Sequence, residues 1–215
     1  MDLSAAFDLV PPDILFKKIK IYGLSESFQE WIKSYMTGRN QSVWIDNVFS
    51  SFLPAEIGVP QGSILGPLIF LIFVNDLAYS LDCSLEQYAD DTTLSATSQQ
   101  VTTTSDILTE NCSRLSNWMG ENQFKLNASK THVMTLGTDV KLSNPSNRVN
   151  VKMDGQVLKE NIGQCETLLG CQIQSNSKWD SHINELKQKL KKRIAGLYKI
   201  RNIMPYNTLK IISKG

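Results

Sequence analysis

Hydrophobic and polar positions recur along this chain with two different periods, and the switches between them predict its elements. After Asp13, which is placed to cap, Ile14, Leu15, Lys18, Ile19 and Ile21 keep a partly helical spacing until Gly23 stops the run. Phe28, Trp31, Ile32 and Tyr35 predict a second helix over 25–35 that turns these four to one core and ends at Gly38. Residues 41–45 and 49–53 read as extended arms around Asp46-Asn47. From 64 to 74 the chain is apolar except at Gly66 and Pro67, which predicts a buried helix too short to span a bilayer. Ser84, Leu85 and Tyr88 on one side of Ala89-Asp90-Asp91, and Thr92, Thr93 and Leu94 on the other, predict a hairpin with acid at its tip. Ile107, Leu108, Cys112, Leu115, Trp118 and Met119 give one face of a helix over 101–120, with Gly120 as its stop. A short strand at 133–136 and a polar surface loop at 137–148 follow. Asp154-Gly155, between Val151-Lys152-Met153 and Gln156-Val157-Leu158, is the strongest hairpin cue in the sequence, and 168–173 reads as one more strand. Trp179, Ile183, Leu186, Leu190, Ile194, Leu197 and Tyr198 predict an amphipathic helix that Met204-Pro205 closes before 208–213 begins a further segment.

Composition adds a charge asymmetry to this pattern. The 215 residues, 41% of them hydrophobic, suffice for a sizeable core in one large domain with room for an appendage. The formal net charge is +1, yet from Lys178 onward ten Lys or Arg face only Asp180 and Glu185, leaving 12 bases against 19 acids in the remainder. A basic tail beside an acidic body suits a tail that meets a polyanion and a body that holds cations; a solvated helix face is the other reading of such a run. Cys83, Cys112, Cys165 and Cys171 lack zinc-type spacing and follow no secretory signal, so reduced thiols in an intracellular compartment are expected.

Two stretches carry candidate chemistry. Adjacent Asp90 and Asp91 repel each other, and holding both at one rigid point serves chemistry mainly where a cation sits; taken by themselves they also read as a solvated turn. Gly58-Val59-Pro60-Gln61-Gly62-Ser63-Ile64-Leu65-Gly66-Pro67 enters the apolar helix, where glycines permit close backbone approach to a ligand and a helix N-terminus favours anions. No Gly-Lys-Ser follows, which excludes a Walker-type loop, and an ordinary tight turn is the other reading.

Four segments in order, Asp2-Leu3-Ser4-Ala5-Ala6-Phe7-Asp8, the glycine turn at 58–67, Tyr88-Ala89-Asp90-Asp91 and Leu126-Asn127-Ala128-Ser129-Lys130-Thr131, resemble the palm motifs of reverse transcriptases, most closely those of non-LTR, LINE-type retrotransposons. The resemblance implies an α+β polymerase palm, a mainly antiparallel sheet backed by helices, in a reverse transcriptase domain over 1–173. A partial thumb or connection over 174–215 would follow, built on the basic amphipathic helix. It implies RNA-directed DNA synthesis, with an RNA template, a DNA primer and dNTPs as partners and two Mg2+ or Mn2+ as cofactors. By position in the family motifs, Asp2, Asp90 and Asp91 are the expected metal ligands and Lys130 the expected proton donor, with a solvated surface lysine as the alternative for Lys130. Phe7 matches an aromatic gate against a ribose 2′ hydroxyl, or else is a core aromatic. Gln61, Gly62 and Ser63 match the segment under the nascent base pair.

The resemblance also implies fingers before the first motif, endonuclease residues and a complete thumb. None of these is recognisable here, so the chain reads as the middle of a larger polyprotein whose missing parts are expected partners. Weak or absent polymerisation by this chain by itself is the corresponding expectation. The rival reading is a catalytically inactive retrotransposon remnant or nucleic-acid-binding module; a nuclease would leave the glycine turn and Lys130 without a role. No membrane association and a location in the nucleus, the cytoplasm or both complete the expectations.

Overall fold

The structure, a computed structural model, describes residues 6–124, 131–161 and 165–201. They form two compact units, one from Met1–Val133 with Val149–Lys159 and one from Met134–Arg148 with Glu160–Gly215.

The first unit begins with a 3-10 turn, Ala6–Leu9, and helix α1, Pro12–Ile21. Pro11 and Pro12 start α1, as a proline can where no intrahelical N–H is needed, so Asp13 lies in its first turn and does not cap it. Helix α2, Glu26–Met36, is capped by Ser25, whose Oγ accepts the Phe28 N–H at 3.4 Å. Of its predicted core face, Ile32 is fully buried while Trp31 remains half exposed. The chain then runs as a ribbon in which β1 (Asn40–Gln41) pairs antiparallel with β4 (Leu53–Pro54), and β2 (Trp44–Ile45) with β3 (Val48–Phe49). Asp46 and Asn47 turn it with φ of 49° and 64°. Short polar side chains tolerate that left-handed backbone, which matches the twist of the arms.

Helix α3, Leu65–Val74, continues into a 3-10 segment, Asn75–Ser80. Ile69, Phe70, Phe73 and Val74 are buried, and Leu68 and Leu71 on the opposite side are about half exposed, so the helix is apolar all round but covered on one side. The acidic hairpin follows as β5 (Ser84–Tyr88) and β6 (Asp91–Ser95). Helix α4, Val101–Glu121, buries Cys112, Leu115, Trp118 and Met119. After β7 (His132–Val133), the hairpin of β8 (Lys152–Met153) and β9 (Gln156–Val157) turns at Asp154-Gly155 and lays Met153 into the core. Side chains of α1, α2, α3 and α4 make one core with Val10, Val59, Leu77, Phe124 and Val151.

The second unit contains β10 (Lys159–Glu160) at its boundary, helix α5 (Asp139–Ser143), a hairpin and a long helix. Residues 137–148 are not a plain loop. Thr138 caps α5 by accepting the Lys141 N–H at 3.5 Å, and Pro145–Asn147 forms a 3-10 turn. The single strand expected over 168–173 is instead the turn of a hairpin, β11 (Cys165–Leu168) against β12 (Cys171–Gln174), because Leu169 and Gly170 adopt φ of 49° and 80°. Helix α6, Asp180–Ile200, follows.

Helices and strands are therefore mixed as expected, and the sheets among the described residues are small. Among the described residues the strands pair as separate two-stranded ribbons, antiparallel in each register given above, and no multistranded sheet is formed. No described helix is long and apolar enough to cross a membrane.

Candidate functional site

The glycine turn is built against the residues that follow Ala6. Val59 N–H donates to the Phe7 carbonyl at 2.8 Å, and Gly58 N–H to the Val10 carbonyl at 2.9 Å. A β-carbon at Gly58 would lie 2.6 Å from the Asp8 carbonyl oxygen, and φ there is +83°, so only glycine fits. The close approach expected of this turn is thus made, at Gly58, to the protein's own backbone. Arg39 locks the same point by donating from Nη2 to the Gly58 carbonyl at 2.5 Å and from Nε to the Met36 carbonyl at 3.1 Å. At Gly62, where φ is +75°, a β-carbon would meet nothing within 4 Å.

Each candidate side chain in this part has a definite place. Phe7 is half-buried and its ring stacks on Phe70, centroids 4.6 Å apart. Ser63 Oγ donates to the Pro60 carbonyl at 2.7 Å and accepts the Gly66 N–H at 3.0 Å, which ties the glycine turn to the first turn of α3. Gln61 donates through Nε2 to both carboxylate oxygens of Asp8, at 2.7 and 2.9 Å. Phe7 and Gln61, distant in sequence, are thereby brought together.

The acidic tip stands on a separate element of the same unit. In the β5–β6 register Tyr88 pairs with Asp91, Gln87 with Thr92 and Leu85 with Leu94. Leu85, Gln87, Thr92 and Leu94 form the inward face, whereas Tyr88 and Asp91 are exposed on the other. The turn between them comprises Ala89, at φ 53°, and Asp90, and the Gln87 side chain braces it by donating to the Ala89 carbonyl at 3.4 Å. Asp90 is half-buried and Asp91 is exposed. No described side chain forms an ion pair or hydrogen bond with either carboxylate. These donors fit a hard divalent cation: carboxylate oxygens, side by side, committed to no described basic group. Among the described residues no group of three His, Cys, Asp or Glu is assembled for a metal. Asp2 and Lys130 lie outside the described residues.

In the second unit, none of the residues of α6 is buried. Its apolar stripe of Trp179, Ile183, Leu186, Leu190, Ile194 and Tyr198 is about half exposed, beside Lys187, Lys189, Lys191, Lys192 and Arg193. His182 Nδ1 accepts the Gln172 N–H at 3.3 Å and Gln174 Oε1 accepts the Ser181 N–H at 3.0 Å, tying the start of the helix to β12.

Sequence reasoning missed two polar residues. Asp8 was visible only as the end of a motif, because its partner Gln61 is 53 positions away. Lys18 was placed on an apolar face and does lie there: its ammonium, with the side chain 9% exposed, donates to the Phe73 carbonyl at 2.8 Å and pairs with Asp76 at 2.6 Å. The rings of Phe73 and Trp118 lie 4.4 and 4.6 Å from it. Burial pushes this lysine below its ordinary value of 10.5 against the opposing pull of Asp76. Its proton is therefore lost earlier in the folded than in the unfolded chain. Lys18 should then add stability as pH rises through its lowered folded value towards 10.5, and withdraw it as pH falls. We expect Lys18→Ala to cost about 2–4 kcal/mol through lost packing and an orphaned carbonyl. Lys18→Met should cost less and abolish Lys18's alkaline contribution, as read from denaturant titrations of both chains at pH 7 and in the alkaline range. Tyr22, pushed up by burial and by Asp76, acts in the opposite sense, so the comparison with wild type isolates Lys18.

The four cysteines are unpaired; Cys165 and Cys171 are exposed, whereas burial pushes the Cys112 thiol up to about 11.

Comparison with known proteins adds an independent line. A family model described as reverse transcriptase (RNA-dependent DNA polymerase) matches residues 1–173. The chain is 24% identical over 220 residues to the RNA-directed DNA polymerase from mobile element jockey of Drosophila melanogaster, which takes in 98% of this chain and 23% of that protein. It is 32% identical over 139 residues to the protein of the same name from Drosophila funebris, covering 60% of this chain and 15% of that one. The chain thus spans less than a quarter of the length of these relatives.

Proposed function

We propose, from the premise that this chain belongs to the reverse transcriptase (RNA-dependent DNA polymerase) family in its non-LTR retrotransposon branch, that it supplies the palm of an enzyme that copies RNA into DNA. The observation that carries this reading is the Asp90-Asp91 tip, two carboxylates held on a braced turn with no described basic partner. Asp2, Asp90 and Asp91 would hold two Mg2+ or Mn2+, hard ions that take oxygen ligands from separate chain segments. Such ions, when bound, lower the charge barrier to attack by a primer 3′ hydroxyl and offset the charge of the departing pyrophosphate.

The remaining assignments concern positioning and proton transfer. Lys130 donates a proton to the leaving group. Phe7 is the gate that crowds a ribose 2′ hydroxyl, and its stacking on Phe70 supports that role, since a ring packed on one face discriminates by shape. Gln61 and Gly62 lie under the nascent pair, and the open space at Gly62 supports close approach there. Ser63 serves them indirectly, by tying the turn to the first turn of α3. Residues 174–215 would begin the thumb, with the bases of α6 along the phosphates of an RNA–DNA duplex.

Primer extension on homopolymer RNA with an oligodeoxynucleotide primer tests this reading. The expected result is a low level of templated incorporation that needs Mg2+ or Mn2+ and falls to background in Asp90→Ala. Duplex binding without incorporation, indifferent to Asp90→Ala and weakened by neutralising Lys191, Lys192 and Arg193, would contradict it. That outcome would identify a nucleic-acid-binding remnant.

A further inference from the structure

We infer that the ribbon over residues 40–54 is a self-association surface, through which two copies of this chain clasp one another. The inference is independent of the polymerase reading and concerns a part of the first unit to which that reading gives no role.

Local sequence makes this ribbon apolar on both sides. Trp44 pairs with Phe49 and Ile45 with Val48, so the two pairs fall on opposite faces. The Trp44 and Phe49 rings stack on one face with centroids 6.1 Å apart. Neither face is covered: Val43, Trp44, Ile45, Val48, Phe49 and Phe52 are 61–69% exposed. Six such side chains in so short a stretch present on the order of 800 Å2 of apolar surface, above the roughly 300–600 Å2 of the largest patch on an ordinary monomer.

Area and charge together identify the occupant. A stable, specific interface buries about 800 Å2 on each partner, which the ribbon supplies if both of its faces are covered. A reciprocal exchange, in which each ribbon is held against the other copy, covers both. From Asn40 to Pro54 the one charged residue is Asp46, at the tip. A two-fold interface sets a patch against itself, which a nearly uncharged surface tolerates and a strongly charged one resists. The exposed stripe of α6, flanked by Lys187, Lys189, Lys191, Lys192 and Arg193, is unsuited to meet itself for that reason. Nucleic acid is a poor occupant of the ribbon, because its phosphates would find no Lys or Arg beside the aromatic rings. The ribbon also limits its own growth. Two residues separate Gln41 from Trp44, but three separate their partners Phe49 and Leu53, so the returning strand is bulged. A bulge turns that edge away from further pairing and favours a closed dimer over an open array.

Sedimentation equilibrium of the full chain from about 0.5 to 50 μM tests the inference. The apparent mass should rise from that of the 24.2 kDa chain to twice that value, with a Kd in the micromolar range. Val48→Lys and Phe49→Lys, one on each face, should each raise the Kd about a hundredfold or more, and the milder Val48→Ser about tenfold. Since these side chains are exposed, the urea midpoint in dilute solution should stay at the wild-type value. Leu186→Lys, in the stripe of α6, should leave the Kd within about twofold of wild type. A monomer throughout the range, aggregation without a discrete dimer, a dimer that survives either lysine variant at the ribbon, or one lost in Leu186→Lys would overturn the inference. So would a monomeric wild type that takes up a single-stranded oligonucleotide through Trp44 and Phe49, which would assign the ribbon to nucleic acid.

Discussion

Asp90→Ala should lower metal-dependent nucleotide incorporation by on the order of a hundredfold or more, and Asp91→Ala should cost clearly less. The difference follows from the hairpin's own geometry. Asp91 pairs with Tyr88 at the end of the ladder, on its outer face, where both are exposed. Asp90 stands in the turn, half-buried, where the Gln87 side chain fixes the preceding carbonyl. A ligand held by its surroundings loses little freedom when a cation binds, and the one nearer low dielectric contributes more per charge. Asp91 supplies charge from a more solvated position. Initial rates at saturating template and primer, with both variants at matched concentration, would separate them, and equal losses would show that the two carboxylates act as equivalent ligands.

Gly58→Ala should destabilise the first unit by on the order of 3–5 kcal/mol, the sum of a left-handed backbone and an overpacked contact. The new methyl would meet Asp8 backbone atoms at 2.6 to 2.8 Å, and no flexible side-chain end is available to give way. Three hydrogen bonds converge at the same place: Gly58 N–H to Val10, Val59 N–H to Phe7, and Arg39 to the Gly58 carbonyl. Gly62→Ala, with a similar φ but open space, should cost only about 1–2 kcal/mol. Urea titrations of the two variants would check this contrast. A Gly58→Ala chain as stable as Gly62→Ala would mean that the turn is not clamped as described.

How far the sequence could be read depended on the range of the interaction that decides each feature. Helices α1, α2, α3 and α4 were legible because a buried stripe repeats every three or four residues. The same rule placed Lys18 on the buried side of α1 without showing that Phe73 and Asp76, more than fifty residues on, would receive its charge. It also put Ile21 there, although the helix ends at that residue, which is 80% exposed. Hairpins at Asp46-Asn47 and Asp154-Gly155 announced themselves because those residues accept positive φ. The hairpin at Leu169-Gly170 did not, since leucine is a poor turn residue and the run around it reads as one strand. In the candidate site, motif order exposed the acidic tip and the glycine turn. The link from Asp8 to Gln61, and the fact that Gly58 serves the protein's own backbone, required the fold.

The central claim is that the hairpin tip of a reverse transcriptase palm takes divalent cations through Asp90 and Asp91. Titration of Mn2+ into wild type, Asp90→Ala and Asp91→Ala, with bound metal read by electron paramagnetic resonance, tests it most directly. Saturable binding in wild type that is lost in Asp90→Ala and weakened in Asp91→Ala is the predicted result. Binding that is indifferent to both substitutions, or no saturable binding in wild type, would contradict it.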